Sequence, residues 1–142
     1  MTIRAYYRSD LALAQLETAL KVYFDGSDFA AVITLAGAAD EIFGKLLTAA
    51  GGESSLASLT KAVGAIHEKL YGEATAPHHI VERANLAKNS LKHWDVGDPE
   101  IVKLDLRLEA QDMLNRAIDN YWTLEHKLPE LMERFQREHM AA

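Results

Sequence analysis

The stretch Phe29 to Ala39, FAAVITLAGAA, constrains this chain more than any other. It is apolar nearly all round and stops at Asp40-Glu41. Followed to Ala50, the segment keeps small residues at Ala31, Ala36, Gly37, Ala38, Ala39 and Gly44. A helix that is apolar on every side has to be surrounded, and small residues let neighbouring backbones come close. Phe29 to Ala50 is therefore expected to be the central helix of a bundle, or to lie in a dimer interface. The run falls far short of the roughly 18 apolar residues that a spanning helix needs, so no membrane partner is expected.

The punctuation on either side divides the rest of the chain into helices. Ser9-Asp10 is expected to cap a first helix to about Phe24, with Leu13, Leu16, Leu20 and Phe24 at helical spacing. Asp25-Gly26-Ser27-Asp28 forms a turn, and Ser27 or Asp28 caps the second helix. Gly51-Gly52 ends that helix as a left-handed cap. Ser54 or Ser55 opens a third helix to about Leu70. Gly72 to Ala76 is a loop, and Pro77 starts a fourth helix running to about Trp94. Asp98 then caps a long fifth helix, with Pro99 in its first position, reaching about Lys127. Pro129 precedes a short, charged final helix. No segment shows the two-residue alternation of a strand. The expected architecture is all-α: an antiparallel bundle of about five to six helices with short loops, one domain over residues 1–142.

Composition narrows the chemistry. The chain has no cysteine, which excludes thiolate nucleophiles and zinc-thiolate sites and fits a reducing compartment. Its N-terminus, MTIRAYYRSD, lacks the apolar core of a signal peptide, so a cytoplasmic protein is expected. The net charge of −6 weighs against binding nucleic acid with the whole surface. Positive charge is nevertheless concentrated between Lys61 and His93. That segment holds five Lys and Arg against three acids, and four of the six histidines.

Within it, KNSLKH, Lys88 to His93, stands on the expected fourth helix. At about 100° per residue, Ile80, Ala84, Ala87, Leu91 and Trp94 make one apolar stripe. Asn85, Lys88, Asn89, Lys92 and His93 occupy the remaining faces. Asn89 and His93 are neighbours four residues apart. Lys88 and His93 are about 140° apart around the helix. They converge only if Lys88 bends across, or if a second copy of the helix supplies part of the site.

These residues resemble the motif of the HEPN superfamily, small helical-bundle proteins marked by an Arg followed after four to six residues by a His. A polar residue often directly follows that Arg. Lys88 stands where the family has Arg, and Asn89 follows it. The segment Ala36 to Leu47 is similar to the Ala-rich second helix of the family, with Glu41 and Lys45 four apart. The likeness spans roughly Tyr6 to Trp94, and loosely the fifth helix. It implies a homodimer with facing motif helices and metal-independent cleavage of RNA, needing no cofactor and no metal. It further implies acid/base work for His93, charge stabilisation for Lys88 and an orienting role for Asn89. Lys92, Arg83 and Asn85 become the expected phosphate-binding neighbours, and Glu41 an acidic partner. RNA or a nucleotide is the implied ligand, and a toxin–antitoxin pair or stress response the implied setting, with an antitoxin protein as partner. Lys is a point charge where Arg is a planar fork, so binding is expected to outlast turnover. The superfamily also contains binding and dimerisation modules without nuclease activity.

The same residues allow plainer readings. A helix with a clean apolar stripe needs polar residues opposite it, whatever its function. Adjacent His78-His79 point about 100° apart and chelate one ion poorly. Asp40 and Glu41 both need solvent, a partner or a cation; Glu41 can form a surface pair with Lys45, or the acids can lie near the His93 site. Trp94, Tyr121 and Trp122 are expected in the core or an interface. An alternative function for the whole chain is a helical interaction module without an active site, whose second and fifth helices build a dimer.

Overall fold

The computed structural model describes residues 1–140, and those residues form helices and connecting loops only. Seven helices follow one another: α1 (Arg8–Asp25), α2 (Phe29–Ala49), α3 (Ser55–Tyr71), α4 (Pro77–Ala84), α5 (Leu86–Lys92), α6 (Leu106–Glu125) and α7 (Glu130–Met140). No helix among them is long and apolar enough to cross a membrane.

The apolar second helix takes the central place its sequence calls for. α2 packs most extensively on α6 and then on α1. Ala36 and Ala39 are fully buried beneath these neighbours, with Val32, Ile33 and Phe43. Leu16 and Leu20 of α1 and Leu114, Ala117 and Ile118 of α6 complete the middle of the core. Met132 and Phe135 of α7 close it from the side of α1. Fully burying side chains of this size is worth about 1.5–3 kcal/mol each, so the three helices α1, α2 and α6 carry most of the fold.

Local signals set the helix ends. The Asp28 carboxylate accepts from the Ala31 N–H at 3.0 Å and caps α2. Ser54 does the same for Ala57 at 3.1 Å and opens α3. Gly26, at φ 73°, ends α1 in the left-handed conformation that suits glycine.

Three expectations need correction. α1 begins at Arg8, with Tyr7 as a cap that offers no side-chain hydrogen bond. Ser9 and Asp10 therefore lie inside the first turn, where Asp10 complements the helix dipole. The long later helix begins at Leu106, well after Pro99. The Asp98 carboxylate accepts from Asp95 N–H at 3.0 Å and closes a local turn. Asp105 is the true cap, accepting from Leu108 N–H at 3.0 Å.

The third correction bears on function. Pro77 to Trp94 is not one helix. It breaks at Asn85, and the two pieces serve different neighbours: α4 packs on α3, and α5 packs on α2. The apolar stripe is divided accordingly. Ile80 lies against α3 near Gly64, while Ala87 is buried and Leu91 packs on the main core. Trp94 is left 57 % exposed, and Trp122 also lies at the surface, whereas Tyr121 is buried.

Candidate functional site: a polar recess between α2, α5 and α6

Asp40 is the centre of the site. It sits in the apolar α2 and is only 4 % exposed. Two α6 side chains one turn apart meet its carboxylate. Arg116 Nη2 donates to Asp40 Oδ2 at 2.7 Å. Asn120 Nδ2 donates to Asp40 Oδ1 at 3.0 Å. Asn120 Oδ1 in turn accepts from the Ser55 N–H at 2.7 Å, which ties the start of α3 to the same cluster. Burial pushes the Asp40 carboxyl up from its ordinary value, against the pull of Arg116 and Lys88.

Arg116 also explains the break in the motif helix. Its Nη1 donates to the Ala84 carbonyl at 3.0 Å, and its Nη2 to Asn85 Oδ1 at 3.0 Å. In an unbroken helix the Ala84 carbonyl would accept from the Lys88 N–H. Arg116 satisfies that carbonyl from outside, so the chain can turn at Asn85 without leaving a buried acceptor bare. Arg116 is 8 % exposed, and its Nε is a buried donor with no partner among the described residues.

The break re-aims Lys88. Its side chain crosses the backbone of α2 at Gly37. A Cβ at Gly37 would lie 2.6 Å from Lys88 Cδ and 2.9 Å from Cγ. Only glycine leaves room for this stem. Lys88 is 9 % exposed. Its Nζ is 3.7 Å from Glu41 Oε2, an ion-pair separation too long for a hydrogen bond. Glu41 already accepts from Lys45 Nζ at 3.1 Å. That bond and the nearby Lys88 hold the Glu41 carboxyl below its ordinary value.

These groups enclose a recess of about 260 Å³, lined by Asp40, Glu41, Gly44, Lys45, Thr48, Ser54, Leu56, Asn85, Lys88, Arg116 and Asn120. It adjoins a groove of about 510 Å³ that shares Glu41 and Lys45 with it. The groove has Ala38, Ile42 and Leu46 as its apolar lining and Arg8 and Lys92 as further cations. Around the two spaces stand five cations and two carboxylates.

The motif residues separate in space. Lys88 and Asn85 line the recess, with Glu41 beside them, and Lys92 lines the neighbouring groove. Asn89 and His93 are exposed on the outer side of α5. His93 is the C-cap of α5 in extended backbone, with its N–H on the Asn89 carbonyl at 2.8 Å. Neither side chain makes a hydrogen bond within the described residues. Arg83 borders a different cavity, with Glu109 and Asp112; burial pushes the Asp112 carboxyl up, against Arg116. The exposed His78 and His79 rings lie 4.0 Å apart. No three of His, Cys, Asp or Glu come together as metal ligands among the described residues.

Sequence reasoning missed Arg116, Asn120 and the role of Gly37. A signal was present: Arg116 and Asn120 are one turn apart and flank Met113, Ala117 and Tyr121 on the apolar stripe. Polar residues at core positions require a buried partner, and Asp40 was the matching anomaly in α2. No protein-family model, no curated protein and no solved structure matches the chain.

Proposed function

We propose that this chain is a HEPN-like helical protein that binds RNA or nucleotide phosphate beside α5, with metal-independent ribonuclease turnover weak or lost. One observation carries the reading. A chain of net charge −6 gathers five cations against two carboxylates around two adjoining spaces. Local positive potential of this kind attracts phosphate even on an acidic protein. Weak turnover follows from the placement of the motif. Lys88 is recessed on one side of α5 while His93 is exposed on the other, so one copy does not bring cation and acid/base group together. A homodimer with facing α5 helices would supply the second half. The resemblance implies a toxin–antitoxin or stress setting, and an antitoxin is then the expected protein partner.

The test is RNA cleavage and RNA binding by the purified protein in EDTA, with His93→Ala and Lys88→Arg beside it. The reading expects RNA binding with slow or absent cleavage, cleavage kept or raised in Lys88→Arg, and loss of any cleavage in His93→Ala. Absence of RNA and nucleotide binding would end it.

A second reading rests on a separate feature. Leu59, Val63, Ile66 and Leu70 form one stripe on α3 and are 39–70 % exposed. An apolar stripe of this kind marks contact surfaces, so the chain can also be read as a dimerisation or interaction module. Sedimentation of wild type beside Ile66→Glu and Leu70→Glu separates the two: a module loses its assembly, while the phosphate site keeps its ligand.

A further inference from the structure

We propose that two copies of this chain pair beside the end of α5, the acidic loop that follows α5 in each copy entering the basic groove of the other. The inference is independent of the phosphate reading. Asn85 and Lys88 line the recess and stay outside the groove, so pairing leaves them open.

The loop is apolar and acidic at once. Residues 94–103 are exposed throughout. Trp94 is 57 % exposed, Ile101 79 % and Val96 95 %. Large apolar side chains gathered in one exposed segment mark a contact surface. Asp95, Asp98 and Glu100 accompany them, with no Lys or Arg before Lys103. The tip is also preformed, which lowers the entropy cost of docking it. Asp98 N–H donates to the Asp95 carbonyl at 2.9 Å, and the Asp98 carboxylate accepts from Asp95 N–H at 3.0 Å. Gly97 supplies the positive φ of the turn, 104°. The carboxylates of Asp95 and Glu100 make no ion pair among the described residues.

The groove is the converse surface. Its apolar lining is Ala38, Ile42 and Leu46 of α2. Glu41 and Lys45 are bonded to each other at 3.1 Å, which leaves Arg8 and Lys92 as its unpaired charges among the described residues. Its volume is about 510 Å³. That lies within the roughly 300–1,000 Å³ of sites that bury a whole ligand, and it admits the tip of a loop.

Chain continuity selects a second copy as the occupant. Lys92 lines the groove and His93 begins the loop, so the two surfaces flank the C-terminal end of α5. No residue of the loop lines the groove of its own copy. A two-fold axis beside Lys92 sets each loop at the partner's groove, and the contact is made twice. Such an isologous pair closes on itself. Opposite charge steers the approach, with the three acids of one copy meeting Arg8 and Lys92 of the other. A standard interface takes about 20–30 residues a side. Loop, groove and the exposed outer face of α5 together reach the lower end of that range.

The experiment is sedimentation velocity on the full chain. Wild type is expected to dimerise at low salt and to weaken in about 1 M salt, where screening shortens to about 3 Å. Asp95→Lys with Glu100→Lys turns the loop basic. Arg8→Glu with Lys92→Glu turns the groove acidic. Each pair of changes alone sets like charges against each other and is expected to raise the dissociation constant about a hundredfold. Mixed in equal amounts, the two variants should re-form the dimer: the basic loop meets the acidic groove, and the two unaltered surfaces meet as in wild type. All four positions are exposed, so the unfolding midpoints should stay close to wild type. Rescue in the mixture is a result that damage to either fold cannot produce. A wild type that stays monomeric at low salt overturns the proposal, and so does a dimer that the mixture fails to restore. A dimer indifferent to both reversals but lost in Ile66→Glu gives the assembly to the α3 stripe instead. A monomer whose RNA binding falls in the Arg8→Glu, Lys92→Glu variant gives the groove to nucleic acid.

Discussion

The inner and outer sides of α5 share seven residues and little else. On the inner side, Lys88 passes through a gap kept by Gly37 and reaches a recess fixed by the Asp40, Arg116 and Asn120 cluster. On the outer side, Asn89 and His93 are exposed. A motif contiguous in sequence is thus split between a pre-organised half and an unconstrained one. The difference teaches that residues of one motif need not be one site. Their placement is decided by the helices packed around them.

The largest effect should come from the inner cluster. Asp40→Ala leaves Arg116 buried with no carboxylate and is expected to cost about 3–5 kcal/mol of stability, measured by urea unfolding. Replacing Asp40 and Arg116 together by Leu and Met should recover much of that loss, because a buried ion pair is often no better than a packed apolar pair. If the double variant is as unstable as the single, the break at Asn85 depends on Arg116 more than this comparison allows.

Gly37→Ala comes next. Overpacking against the Lys88 stem is expected to cost about 1–3 kcal/mol. In a Lys88→Ala background the clash disappears. A double-mutant cycle should therefore show a coupling above about 0.5 kcal/mol. Additive effects would mean that Lys88 does not lie over Gly37.

The outer side should hardly respond. His93→Ala and Asn89→Ala are expected to change stability by no more than about 0.5 kcal/mol. A larger loss would show that the exposed half is anchored.

The smallest effect concerns pH. Glu41 is held below its ordinary value of 4.5 by the Lys45 hydrogen bond. Its contribution to stability is present above that value and lost as acid carries the pH through the lower folded value. Asp40 is pushed above its ordinary 3.8 by burial, so its contribution runs the other way and declines as pH rises through the folded value. The Glu41–Lys45 pair is solvent-screened and worth only about 0.3–0.5 kcal/mol. Glu41→Gln should flatten the acid limb of the stability curve by no more than that. An unchanged limb would assign the acid response elsewhere.

Much of the frame was legible in the sequence. The all-round apolar pattern of Phe29 to Ala50 marked the central helix, and Asp28, Ser54 and Pro77 marked helix starts, because these signals are local. The break at Asn85 was not legible. Ile80, Ala84, Ala87 and Leu91 keep one helical period across it, and the group that permits the turn is Arg116, 31 residues away. The start of α6 was misplaced for a related reason: Asp98-Pro99 and Asp105 are both competent caps, and tertiary packing chooses between them. Lys88 looked like part of a wet face because periodicity cannot show a glycine in the neighbouring helix making room for it.

The most direct measurement is a titration of the protein with a short RNA by NMR, read at the resonances of the two sides of α5. Binding beside the inner side predicts saturable shifts at Asn85 and Lys88, which line the recess, that weaken in Lys88→Gln. Shifts confined to exposed groups such as Arg83 or His93, with Asn85 and Lys88 unmoved, would contradict it.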